Sequence, residues 1–112
     1  KGARTVIADR TGEAYVNPTG NSGMATAGMG DVLAGVIGSL CAAGLSGLAA
    51  GYCSAYIHGL AGDFAARERG WDGMVAGDVL AHVPESFRAA RTKTAMLWAM
   101  MPIAYAHMPE GW

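Results

Sequence analysis

A β-branched run, "TVIAD" (Thr5 to Asp9), ends in "DRTGE", which carries a turn signal at Gly12; "EAYV" (Glu13 to Val16) then alternates polar and apolar. This pattern predicts a β-hairpin. "NPTGNSG" follows as uninterrupted turn chemistry. The periodicity then changes. Val32, Leu33, Val36, Ile37 and Leu40 fall at helical spacing, which predicts a helix from Asp31 to Ala43 with Gly44 as its stop. Gly35 and Gly38 weaken that helix and point to close packing on a neighbour. A second helix is expected from about Leu48 to Arg69, with Tyr52, Tyr56, Leu60 and Phe64 recurring about every fourth residue and Gly70 at its end. "DGMVAGDVLAHVPESFRAAR" reads as a turn, a short helix from Asp78 (a favoured N-cap residue) and another opening at Pro84, since proline suits a first helical turn. After Arg91 the chain becomes rich in methionine and tryptophan and has no polar face of ordinary width.

The order is hairpin, glycine turn, then helices. A two-stranded hairpin cannot cover one face of three helices, so further strands must come from outside the chain, or the tail must replace them. The chain opens at Lys1 without a methionine and enters a strand almost at once, so it reads as a piece of a longer polypeptide.

Composition narrows the class. With 112 residues, 52% hydrophobic and 15% charged, the chain has the makings of a packed core rather than of a disordered segment. The net charge is -1, and no basic stripe is interleaved with aromatics, which argues against nucleic acid as a partner. Cys41 and Cys53 lie in apolar, helix-like stretches without metal-ligand spacing and read as buried free thiols in a reducing compartment, with a disulfide as the alternative. The most apolar run, Ala95 to Ala106, is too short to span a bilayer and contains Pro102, so no membrane association is expected. With no export leader in view, the expected location is cytoplasmic.

The candidate chemistry lies in "GNSGMATAGMGDVLAG", Gly20 to Gly35. Glycines let backbone N–H groups converge on an anion, and the start of the following helix adds unpaired donors and the positive end of its dipole. Gly28, Met29 and Gly30 form the expected anion hole. Asp31 then has two readings: an N-cap of its own helix, or a carboxylate that accepts a proton from an attacking hydroxyl beside bound phosphates. The Walker A ending is absent.

Four segments resemble the ADP-dependent NAD(P)H-hydrate dehydratase family of the ribokinase-like superfamily. They are "KGARTVI" (Lys1 to Ile7), "NPTGNSGMATAGMGDVLAG" (Asn17 to Gly35), "YIHGLAGDFAA" (Tyr56 to Ala66) and "GMVAGDVL" (Gly73 to Leu80). The resemblance covers residues 1–91, as the C-terminal part of the family's domain, and leaves 92–112 an unassigned apolar tail. It implies an α/β fold, the C-terminal portion of an α/β/α sandwich around a mostly parallel sheet. The implied activity is ADP-dependent (or ATP-dependent) dehydration of hydrated NADH or NADPH through a phosphorylated intermediate, with Mg2+ present. By the same resemblance Lys1, Gly2, Ala3, Arg4 and Thr5 contact the adenine nucleotide. Gly30 touches its phosphates, and Asp31 contacts the hydrated nicotinamide as catalytic base. A homo-oligomer is implied as well.

Other polar residues receive smaller roles. Asn17, Thr19 and Asn21 are expected to orient the glycine turn through side-chain-to-backbone bonds, and Thr26 is a weaker candidate for phosphate. His58 and Asp63, five apart, do not share a helix face, so a metal site is not expected and Asp63 reads as a structural hydrogen-bonder. His82 and His107 read as ordinary histidines. Met96, Trp98, Met100 and Met101 read as core or association surface. Two other functions stay open on the sequence: a ribokinase-like small-molecule kinase, and an inactive nucleotide-binding fragment.

Overall fold

The computed structural model describes residues 4–92. Lys1, Gly2, Ala3 and the expected apolar tail with Met96, Trp98, Met100, Met101 and His107 lie outside the described residues. The chain runs through strands β1 (Val6–Ala8) and β2 (Ala14–Val16), a 3₁₀ turn (Ser22–Met24), and helices α1 (Met29–Ala42), α2 (Gly47–Arg69) and α3 (Ala76–Thr92). This is an α/β arrangement. No helix among the described residues is long and apolar enough to cross a membrane.

The hairpin forms where the alternation placed it. β1 and β2 are antiparallel, with Val6 opposite Val16, Ile7 opposite Tyr15 and Ala8 opposite Ala14. Asp9 shapes the turn by accepting the Thr11 N–H at 2.9 Å, a local bond that competes well with further strand pairing. Because side chains alternate faces, Ile7 and Tyr15 point to the core together, while Val6 and Val16 stay 62% and 54% exposed. The Tyr15 ring lies 4.5 Å, centroid to centroid, from that of Tyr52, which seats the hairpin on the N-terminal half of α2.

α2 is the centre of the molecule, and its residues from Tyr52 to Gly59 are buried throughout. A helix that is apolar and small on most sides can be approached from several directions at once. One cluster joins the hairpin and all three helices through Tyr15, Val36, Leu40, Cys53, Ile57 and Ala90. A second joins Met29 at the start of α1 to Ala61 and Ala65 of α2, and to Met74 and Val79 before and within α3. Ser46 caps α2 by accepting the Ala49 N–H at 3.2 Å, and Gly70 ends it as expected.

Several expectations need correction. α1 begins at Met29, not Asp31, because the chain breaks at Gly28, whose φ of 87° is left-handed backbone. α3 is one helix rather than two. Pro84 costs it the bond to the Leu80 carbonyl, but both residues are exposed, so water can satisfy that oxygen. Asp78 closes the start of α3 from its third position: Oδ2 accepts the Val75 N–H at 2.9 Å, and Oδ1 stands 3.4 Å from Arg69 Nε. Both cysteines are free, but Cys41 is exposed on the outer side of α1. Burial holds for Cys53, whose thiol it pushes up to about 12. Gly35 and Gly38 adjoin no close neighbour, since an added Cβ at either meets nothing within 4 Å.

Candidate active site

The loop "NPTGNSG" is fixed to α2 by a row of hydrogen bonds. Buried Asn17 donates through Nδ2 to the Ala55 carbonyl at 3.0 Å and to the Thr19 carbonyl at 3.3 Å. The Thr19 hydroxyl lies 2.9 Å from the Tyr56 carbonyl and 3.1 Å from Asn17 Oδ1, and donates its one proton to either. Two turns further along α2, the Asp63 carboxylate accepts the Gly20 N–H at 3.1 Å and the Asn21 amide at 2.9 Å. Asn21 in turn accepts the Gly23 N–H at 3.0 Å and caps the 3₁₀ turn. The expected roles of Asn17, Thr19, Asn21 and Asp63 are all met. Gly59 explains how the loop comes so near: a Cβ there would stand 2.7 Å from the Thr19 carbonyl carbon. Gly59 and Asp63 are four apart, and so share the face of α2 that carries the loop.

Between this loop, α2 and the start of α1 lies a cavity of about 600 Å3. That volume suits a nucleotide-sized ligand. The hairpin delivers both of its ends to it. Asn17 N–H bonds the Thr5 carbonyl at 2.8 Å, so Arg4 and Thr5 enter beside the departing loop and both line the cavity. Met24, Met29, Leu33 and Ala55 supply apolar wall; Thr19, Asn21, Ser22 and His58 supply polar groups.

The N-terminus of α1 reaches this wall. Gly28 has no side-chain cap to offer, so the amides of the first turn are not consumed by one. Gly30 lines the cavity, and a Cβ added to it would meet nothing within 4 Å, so the glycine leaves open space rather than making room for protein. Asp31 is the third residue of α1 and is exposed. Its carboxylate has no hydrogen-bond or ion-pair partner among the described residues, so the N-cap reading does not hold. Gly28 and Asp31 adjoin the wall in sequence without lining it. Of the expected nucleotide contacts, Arg4, Thr5, Met29 and Gly30 come together here; Lys1, Gly2 and Ala3 lie outside the described residues.

The sequence reading missed the position of His58. It is 9% exposed and lines the cavity, and its Nε2 has no hydrogen-bond partner among the described residues. Burial lowers its pKa below the ordinary 6.5, against the opposing pull of the Met29 carbonyl. The available signal was "IHG": a histidine beside the glycine that admits the loop. No group of three or more histidines, cysteines or carboxylates among the described residues is placed to hold a metal ion.

The fold is that of an α/β protein of the ribokinase-like kind, and comparison with known proteins narrows the class. The family model described as NAD(P)H-hydrate dehydratase matches residues 1–85, and the chain belongs to that family. It is 57% identical over 88 residues to the bifunctional NAD(P)H-hydrate repair enzyme Nnr of Moorella thermoacetica, covering 79% of this chain and 17% of the relative. It is 50% identical over 91 residues to the enzyme of the same name from Thermofilum pendens, covering 81% of this chain and 17% of the relative. The ADP-dependent (S)-NAD(P)H-hydrate dehydratase of Neisseria meningitidis is 45% identical over 80 residues, with 70% and 27% covered. The chain thus spans well under a third of the length of these relatives. No solved structure matches the chain.

Proposed function

We propose that this chain supplies the phosphoryl-transfer half of a site that dehydrates hydrated NADH or NADPH at the expense of ADP. The observation that carries the reading is the cavity reaching the uncapped start of α1 at Gly30, beside a carboxylate with no partner among the described residues. Family membership and the names of the relatives support it.

In this reading the α1 amides and Gly30 receive the phosphates, while Arg4 and Thr5, with Lys1, Gly2 and Ala3, hold the rest of the nucleotide. Asp31 takes the proton from the hydroxyl of the hydrated nicotinamide. The oxygen so freed forms a bond to the β-phosphorus of ADP as the bond to AMP breaks. The ring nitrogen's lone pair then expels phosphate, a proton leaves the adjacent ring carbon, and the double bond is restored. The products are NAD(P)H, AMP and phosphate. Mg2+ would travel on the nucleotide's phosphates, with the Asp31 carboxylate at the start of α1 beside them, as suits a cation that keeps several waters. Residues 1–91 would form the C-terminal part of the family domain in a cytoplasmic homo-oligomer.

The test is to incubate the full-length protein with hydrated NADH and ADP and to follow the return of reduced-cofactor absorbance. Recovery that requires ADP supports the reading. Phosphorylated product without recovery marks a small-molecule kinase of the same superfamily, and neither product overturns both.

A further inference from the structure

We propose that Met24 is a positioning residue: its thioether, seated in a notch left by Gly62 on α2, fixes the apolar wall of the cavity formed by the 3₁₀ turn. The proposal rests on the reading of that cavity as the reaction site, although the seat itself does not depend on any particular substrate.

A Cβ added to buried Gly62 would stand 2.8 Å from Met24 Cγ and 2.7 Å from its Cε, with Sδ nearer still. Consecutive atoms of the Met24 side chain therefore lie across the bare backbone of α2. An unbranched, flexible thioether suits such a groove. Gly20 closes the seat from the loop side, since a Cβ there would meet Sδ at 3.4 Å. Met24 also packs against the cluster that joins Met29 to Ala61, Ala65, Met74 and Val79, and it lines the cavity. The side chain is thus held by protein and presents apolar surface to the ligand space.

The seat completes the attachment of the loop. Asn17 and Asp63 tie the chain to α2 by polar bonds as far as Asn21. Beyond Asn21 the bonds are local. The Met24 N–H reaches the Asn21 carbonyl at 3.2 Å, the Ala25 N–H the Ser22 carbonyl at 3.2 Å, and the Thr26 N–H the Met24 carbonyl at 2.9 Å. These bonds shape the turn without tying it to a helix, and the Met24 side chain supplies the tie. Gly59, Gly62 and Asp63 share one face of α2, so the loop is laid along that face from Thr19 to Met24. A methyl group on Gly62 would push the thioether off the helix, and the open space beside it is the cavity.

A paired substitution tests this. In the full-length protein, Gly62→Ala should raise the KM for ADP or for hydrated NADH on the order of 10-fold, with kcat within about threefold, because the displaced thioether takes up ligand space. Met24→Ala alone should raise the same KM about threefold by loosening the wall. In the Gly62→Ala background the same change should instead lower that KM, since alanine leaves room for the added methyl. Such a reversal of sign marks coupling between two neighbours. A packing role alone would couple the two in melting temperature while both KM values stayed at the wild-type level, and that result would overturn the proposal, as would additive effects on KM. In the wild type, labelled methionine methyls should show a nuclear Overhauser contact between Met24 Cε and the Gly62 α-protons, and its absence also overturns the proposal. Hydrogen exchange at the Ala25 and Thr26 amides should speed up on the order of 10-fold in Met24→Ala. If the wild type fails to dehydrate hydrated NADH, the functional reading falls, and the methyl contact and the exchange rates still decide the role of Met24. They decide it too if Gly62→Ala fails to fold, with unchanged exchange counting against the proposal.

Discussion

Asp31 shows how one backbone angle redistributes the roles of neighbouring residues. With the helix starting at Met29, the carboxylate is no longer engaged in capping, and it lies in the first turn where an anion is favoured by the dipole. Asp31→Asn keeps the shape and removes the proposed base, so turnover in the full-length protein should fall by about 10²- to 10⁴-fold. Nucleotide affinity by calorimetry should change little. Gly28→Ala tests the angle itself. At φ 87° an L side chain is strained, and its Cβ would also stand 3.0 Å from that of Ala76. A loss of about 1–2 kcal/mol in denaturant unfolding is expected.

The two described histidines should give opposite pH dependences. His82 of α3 lies 2.9 Å from Glu85 and reaches across to Glu68 of α2 at 2.8 Å, and the Glu85 bond, helped by Glu68, raises its pKa. Its contribution is complete below the ordinary 6.5 and is lost as pH rises through the higher folded value. For His58 the burial that lowers its pKa makes protonation costly, so stability is present above 6.5 and falls as pH drops toward the depressed folded value. Melting temperature followed across pH 5 to 8 should therefore lose its alkaline decline in His82→Gln and part of its acid decline in His58→Asn.

At the scale of elements, the parts that were legible are those set by local chemistry. The hairpin follows from alternation plus the Asp9–Gly12 turn, and the ends of α2 follow from Ser46 and Gly70. The misplaced starts share a cause. Aspartate is a preferred cap, so Asp31 and Asp78 look like helix starts, yet each is the third residue of its helix. Pro84 read as a boundary because its effect depends on exposure, which only the packed helix decides. His58 could not be placed at all, since the cavity it lines is shared with residues of the loop and of α1 that lie far away along the chain. Tertiary contact of this kind also predicts that Gly59→Ala should displace the loop. With the Thr19 backbone in the way, overpacking should cost about 1–3 kcal/mol and weaken nucleotide binding together with stability. By contrast, Asp63→Asn should keep much of the fold but exchange a charged acceptor for a weaker neutral one at the Gly20 N–H, loosening the loop by about 1 kcal/mol. Amide exchange at Gly20 would report it.

Among the described residues the hairpin has one uncovered face. Ile7 and Tyr15 bury the inner face of the hairpin against α2, while Val6 and Val16 remain exposed on the other, at the same end of the molecule as the cavity wall formed by Arg4 and Thr5. A pair of β-branched residues facing outward from a two-stranded sheet is what a strand covered on both faces would carry. In the relatives, more than four-fifths of the polypeptide lies beyond the segment matched by this chain in the Moorella and Thermofilum enzymes. We therefore expect the hairpin to be completed by other strands of the family domain, and nucleotide affinity to depend on that completion. Replacing the matched 88-residue segment of the Moorella enzyme with its counterpart from this chain tests the idea directly. The graft should retain ADP-dependent recovery of reduced cofactor and bind ADP, whereas the 112-residue chain alone should give little heat with ADP. Changing Val6 and Val16 to threonine within the graft should lower its melting temperature far more than the same change does in the isolated chain. Equal losses in both settings would mean that nothing covers this face, and the cavity would then have to work as it stands.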